Sequence, residues 1–131
     1  MMSSVAVASQ SVLVVCLCAE WCGVCRDYRS RFDEVKARFP GVEFLWIDVE
    51  DEADLLHPLD IDNFPTLLVG VGDEPRFLGP LTPQIETLDR LIRAQMQVEV
   101  MVKAPDALQV GLLARIRQAK GLSPSATGPL T

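Results

Sequence analysis

Val12, Leu13, Val14, Val15, Cys16, Leu17 and Cys18 form an apolar run with no polar face, which predicts a strand covered on both sides inside a mostly parallel sheet. From Val24 the period changes. Val24, Tyr28, Phe32, Val35 and Phe39 recur every three or four residues among charged neighbours, the spacing of an amphipathic helix. Pro40 and Gly41 stop it, and Val42 to Val49 reads as a second strand rich in β-branched and aromatic residues. The stretch from Asp48 to Asp62 holds seven acidic residues and no Lys or Arg. It reads as a solvated face with a short helix at Ala53 to His57, interrupted by Pro58, and His57 as a surface residue without a catalytic role. Thr66 to Val71 predicts a third strand, Gly70 to Pro75 a turn, and Arg76 to Leu78 a short fourth strand completing a hairpin. Thr82 is the expected cap of a helix starting at Pro83, with Ile85, Leu88, Leu91, Ile92 and Met96 on its apolar side. A last helix is expected over about 105–120, with Leu108, Leu112, Leu113 and Ile116 on one side and Gly121 at its end.

This order of elements mixes a parallel crossover with a terminal hairpin. It predicts an α/β fold with a central mixed sheet of about four strands, flanking helices and an extra C-terminal helix. At 131 residues the chain can bury one core without staples, so a single domain is expected over 1–121, its core at about 11–97. The Ser, Pro, Gly and Thr-rich end, 122–131, reads as a disordered tail, and Val5 to Ala8 as a remnant strand. A net charge of -6 with pI near 4.7 argues against a basic face for nucleic acid phosphates. The eight apolar residues from Val12 to Ala19 are too few to span a bilayer. The first eleven residues carry no Lys or Arg, and cleavage after the apolar stretch would fall beside Trp21 and Cys22, against a secretory signal. A cytoplasmic location is expected.

All four cysteines, Cys16, Cys18, Cys22 and Cys25, fall within ten positions. In a reducing compartment such a cluster suggests catalysis or metal binding rather than a structural framework. A strand ending near Ala19 and a helix starting at the cysteines put Cys22 at a helix N-terminus, where unpaired N–H groups and the macrodipole favour the thiolate, the attacking species. Cys25 returns to the same side one turn later. There it can displace a mixed disulfide formed at Cys22, so Cys22 is the nucleophile and Cys25 the resolving cysteine.

Ala19, Glu20, Trp21, Cys22, Gly23, Val24 and Cys25, taken with Phe64, Pro65 and Thr66, resemble the thioredoxins, and the likeness covers roughly residues 11–95. The resemblance implies a thioredoxin-like fold and a thiol-disulfide oxidoreductase that reduces protein disulfides through a Cys22/Cys25 cycle. It implies no bound cofactor; a separate reductase or a small thiol would restore the electrons. It also implies a cis Pro65, with the backbone of Phe64 pairing with a substrate strand. Trp21 would shield the sulfurs, Gly23 and Val24 would border the substrate, and Gly79 would open the substrate groove.

The departures from the family are specific. Val24 replaces the usual proline between the cysteines. A buried acid and a lysine used in proton handling correspond to Cys16 and Phe44, and a family tryptophan corresponds to Cys18. The first strand and helix of the family have too little room before Cys16. These losses argue against strong general reductase activity and leave the two-cysteine exchange intact. They favour, as the alternative, a protein-binding or redox-sensing module with little turnover; a structural zinc site built on the four cysteines ranks below it. Cys16 and Cys18 lie two apart on one face of a strand, where both read as core packing. The sharper expectation is that Cys16 lies behind Cys25 as a redox modulator and alternative disulfide partner. A monomer is expected, with a homodimer through the last helix as its rival.

Overall fold

The computed structural model describes residues 11–97 and 106–122. β1 (Val12–Cys18) leads through a short turn into α1 (Gly23–Arg38), then β2 (Glu43–Asp48), α2 (Ala53–Leu56), β3 (Thr66–Val71), β4 (Glu74–Pro80), α3 (Ile85–Gln97) and α4 (Ala107–Lys120). One four-stranded sheet has the order β2-β1-β3-β4. β2 is parallel to β1, whereas β3 is antiparallel to both β1 and β4. The mixed sheet with flanking helices and an added C-terminal helix matches the architecture expected from the sequence pattern. Val5 to Ala8 and residues 123–131 lie outside the described residues.

β1 sits between two strands and under helices on both faces, so every residue from Leu13 to Cys18 is buried. Its period-two alternation divides the molecule into two apolar layers. Val14, Cys16 and Cys18 join Leu67 and Val69 against Tyr28, Phe32 and Val35 of α1 and Leu88 and Ile92 of α3. Leu13, Val15 and Leu17 join Ile47, Leu56 and Leu68 against Leu112, Leu113 and Ile116 of α4. α4 approaches the sheet closely at Gly70, where a Cβ would lie 2.7 Å from the Leu113 side chain. Arg117 anchors the same helix, its buried guanidinium donating to the carbonyls of Gly72 (3.0 Å) and Ser11 (2.9 Å).

Several element ends differ from the sequence-based expectation. The turn of the hairpin is only Gly72 and Asp73, with Gly72 at φ 62°, the positive φ that two-residue hairpin turns require. β4 therefore starts at Glu74, and Pro75 is accommodated because β4 is the sheet edge. α3 starts at Ile85 and not at Pro83. The Thr82 hydroxyl bonds to Thr87 Oγ1 (3.1 Å) rather than capping, and the Leu88 amide makes its helical bond to Gln84. In α4, Gly121 terminates in the left-handed region, as the pattern implied, and Asp106 caps through the Leu108 amide (2.7 Å). Leu108 itself is 67% exposed and stands outside the apolar face.

α1 and α3 are joined by Asp89, a buried carboxylate that accepts from Arg93 Nε (2.6 Å) and Arg38 Nη1 (2.9 Å). The hydrogen bonds from Arg93 and Arg38 hold its carboxyl below the usual range. A lowered folded-state pKa means that the contribution is complete above the unfolded value, about 3.9, and is lost as pH falls through the folded value. Asp89→Asn should therefore lower Tm by several degrees at neutral pH, and the gap to wild type should narrow in thermal melts as pH falls below the unfolded carboxylate value, about 3.9.

Candidate active site

The first turn of α1 carries the two cysteines of the motif. Cys22 is the N-cap residue, with extended backbone; its amide donates to Ala19 O (3.0 Å) and its carbonyl accepts from the Arg26 amide (3.2 Å). Its side chain makes no capping bond, which leaves a half-buried free thiol at the positive end of the helix. Cys25, one turn on, is buried because it belongs to the face shared with Tyr28 and Phe32.

The Phe64–Pro65 peptide is cis, the isomer the resemblance implied. Trp21 meets Phe64 edge to face with ring centroids 5.7 Å apart, which brings the cysteine loop against the Pro65 loop. Trp21 and Val24 are 62% and 43% exposed, so Cys22 is flanked by accessible apolar surface. Gly23 lies between them; a Cβ there would have only Arg26 within reach, at 3.9 Å. Gly79 pairs with Leu67, two residues beyond Pro65. It lines a concavity of about 190 Å³ with Leu59, Asn63 and Thr66 that no cysteine borders.

Cys25 is not bonded to Cys22. A disulfide joins it to Cys18, with Cα atoms 5.8 Å apart, an ordinary separation for a bridge, while Cys16 and Cys22 are free thiols. This corrects two expectations. Cys18 is more than core packing, and the residue behind Cys25 is Cys18 rather than Cys16. The reason is the pleat: both cysteines face α1, but Cys18 lies at the C-terminal end of β1, level with the first turn of the helix, and Cys16 lies two residues deeper. Cys16 still touches the group, donating to Cys18 Sγ at 3.8 Å, and the Ala19 amide donates to Cys25 Sγ at 3.4 Å. Burial pushes the Cys16 thiol up, against a smaller opposing effect of Arg29, so it is a neutral S–H. The four sulfurs do not form a tetrahedral thiolate set, since two are bonded to each other. Among the described residues no group of three or more His, Cys, Asp or Glu could hold a metal ion.

Aromatic packing fills the space where the resemblance would put charges. Phe44 pairs with Val14, and Trp46 with Cys16, across β1 and β2. Phe32 contacts both rings edge to face, at 5.4 and 5.5 Å, and the Arg29 guanidinium covers Trp46 at 4.7 Å. A cavity of about 410 Å³ opens beside Cys25, lined by Ala19, Glu20, Arg29, Trp46 and Asp48 among others.

The sequence reading missed Asp48 and Glu50, which it assigned to a solvated face. Asp48 accepts from the amides of Glu20 (2.9 Å), Glu50 (2.8 Å) and Asp51 (3.3 Å). Burial opposes its charge, but these three amides outweigh it and hold the carboxyl below its usual range. Glu50 accepts from Trp21 Nε1 at 2.8 Å. Together they tie the segment before Cys22 to the end of β2. An Asp at a strand end followed by polar residues is a turn-forming signal, and it was legible here.

A model of the thioredoxin family matches residues 3–93. The chain belongs to the thioredoxin family. It is 27% identical over 92 residues to thioredoxin Asp f 28 of Aspergillus fumigatus, covering 68% of this chain and 85% of that one. It is 28% identical over 85 residues to thioredoxin H2-1 of Oryza sativa subsp. japonica, covering 63% of this chain. There the chain spans only 62% of the relative's length, and 47% of a rice H-type thioredoxin. Among solved structures, Fasciola hepatica thioredoxin superposes with a TM-score of 0.60 at 19% identity, over 72% of this chain and 89% of that one. Oxidised mitochondrial thioredoxin 3 of Saccharomyces cerevisiae gives 0.57 at 21% identity, over 68% and 83%. These likenesses establish the thioredoxin fold.

Asp48→Ala should untie the cysteine loop without disturbing the sheet. Each carboxylate–amide bond contributes roughly 1.5–3 kcal/mol, so hydrogen exchange at the Glu20 and Glu50 amides should accelerate by about tenfold or more. Exchange at Leu67 to Val69 should stay unchanged.

Proposed function

We propose that this protein is a thiol-disulfide oxidoreductase that reduces disulfides of other proteins through Cys22 and Cys25. The observation that carries the reading is the free, half-buried Cys22 thiol at the start of α1, next to an exposed Trp21 that touches the residue before a cis proline. The Cys22 thiolate attacks a substrate disulfide, forming a mixed disulfide and expelling one substrate thiolate. Cys25, as a thiolate, then attacks Cys22 Sγ. The second substrate thiolate leaves, and the two electrons lost by the cysteines reside on the substrate dithiol. Trp21 and Val24 give the substrate chain apolar contact, and the Phe64 backbone offers strand-like hydrogen bonds. A separate reductase or a small thiol opens the resulting Cys22–Cys25 bond and restores the dithiol form; from the state in the structure, the Cys18–Cys25 bond is reduced before the first turnover.

A second reading, a redox-sensing binding module with little turnover, is favoured by one feature: Cys25 is held in that internal disulfide, where it cannot resolve a captured partner.

Insulin precipitation distinguishes the two. Wild-type protein with dithiothreitol should reduce insulin well above the dithiothreitol background, and Cys22→Ser should fall to it; equal rates in both would remove the catalytic assignment. Cys25→Ser should accumulate mixed disulfides with several proteins, visible as thiol-sensitive bands on non-reducing gels. A module would instead retain one partner regardless of thiol state.

A further inference from the structure

Cys18 has no part in the cycle just proposed, yet it is the residue covalently joined to Cys25. Resting on that cycle, we propose that Cys18 is an internal exchange residue that takes Cys25 away from Cys22, converting the oxidised protein from a dithiol site into a monothiol site. The grounds are positional. Cys25 lies one helical turn after Cys22 and within bonding reach of the last residue of β1. A single sulfur is therefore shared between an accessible partner in front and a buried one behind, where Cys18 and Cys25 are almost wholly inaccessible. The Ala19 amide donates to Cys25 Sγ and the Cys16 thiol to Cys18 Sγ, so both sulfurs of the buried bond already have hydrogen-bond donors to receive charge.

The step balances without an external oxidant. After a substrate has been reduced, the Cys22–Cys25 bond is the product. The Cys18 thiol loses its proton and its sulfur attacks Cys25 Sγ. The Cys18–Cys25 bond forms as Cys22–Cys25 breaks, the electron pair leaves on Cys22 Sγ, and Cys22 gains the proton. The protein remains oxidised by the same two electrons, but its surface cysteine is again a thiol. With Cys25 committed elsewhere, Cys22 can exchange with a small disulfide such as glutathione disulfide and hold the adduct. One glutathione thiolate is released, and nothing inside the protein expels the other.

The sequence provides a direct assay. No Lys or Arg precedes Arg26, and Glu20 is the first Glu, so Glu-C plus trypsin yields 1–20, with Cys16 and Cys18, and 21–26, with Cys22 and Cys25. Full-length protein is oxidised by glutathione disulfide, its free thiols are blocked with N-ethylmaleimide, and the digest is weighed by mass spectrometry. Wild type and Cys16→Ala should give 1–20 linked to 21–26, with Cys22 carrying glutathione or the maleimide. Cys18→Ser and Cys18→Ala should give the two peptides unlinked, with Cys22 and Cys25 bonded to each other and no glutathione adduct. A wild type that shows only the bond within 21–26 overturns the exchange, as does a link that survives Cys18→Ser and disappears in Cys16→Ala. Insulin reduction by the same wild-type sample separates the two claims. Activity together with an unlinked digest sinks the exchange alone, whereas no activity above background sinks the parent cycle and the exchange with it.

Discussion

Burial of β1 on both faces is the constraint on which the rest of the structure depends. A strand with water on one side could alternate apolar and polar residues; this one cannot, and its seven positions carry no charge and no polar side chain beyond two cysteines. Each neighbouring element is positioned by its fit to one side of that strand. α1 and α3 take the side of Val14, Cys16 and Cys18, and α4 takes the side of Leu13, Val15 and Leu17. The chemistry follows from the same geometry, because the strand ends where α1 begins and its last inward residue on the α1 side is a cysteine.

The absence of buried charge near the cysteines is compensated by shape. Tyr28, Phe32, Phe44 and Trp46 pack against one another, tilted or edge to face, in the apolar layer that contains Cys16, and burial holds both the Cys16 thiol and the Tyr28 hydroxyl in their neutral forms. Proton handling at Cys25 therefore cannot use a buried carboxylate on β1. Cys25 instead accepts from the Ala19 amide and borders a cavity lined by the titratable groups of Glu20, Arg29 and Asp48. Asp48 and Glu50 act at one remove from the sulfurs, holding the loop that carries Trp21.

How much of this could be read from the chain depended on whether a signal was local. The strand at Thr66–Val71, the helix face Tyr28–Phe32–Val35 and the Gly121 stop are set by spacing within one element, and each was legible. The start of α3 was not, because Thr82 found a side-chain partner in Thr87 rather than an amide. The Cys18–Cys25 bond was not, because residue spacing places Cys16 and Cys18 on one face without saying which of them lies level with the helix end. Leu108 was misassigned for a related reason: helical periodicity identifies a stripe but not where the sheet beneath it stops.

The family resemblance ends at residue 93, but the hydrophobic interior does not. Leu112, Leu113 and Ile116 are as deeply enclosed as any residue of the sheet, and Arg117 closes the far end of β1 by binding carbonyls from two separate segments. One wall of this protein is thus built from sequence that lies beyond the match to the family model. A boundary drawn by similarity alone would cut through its middle.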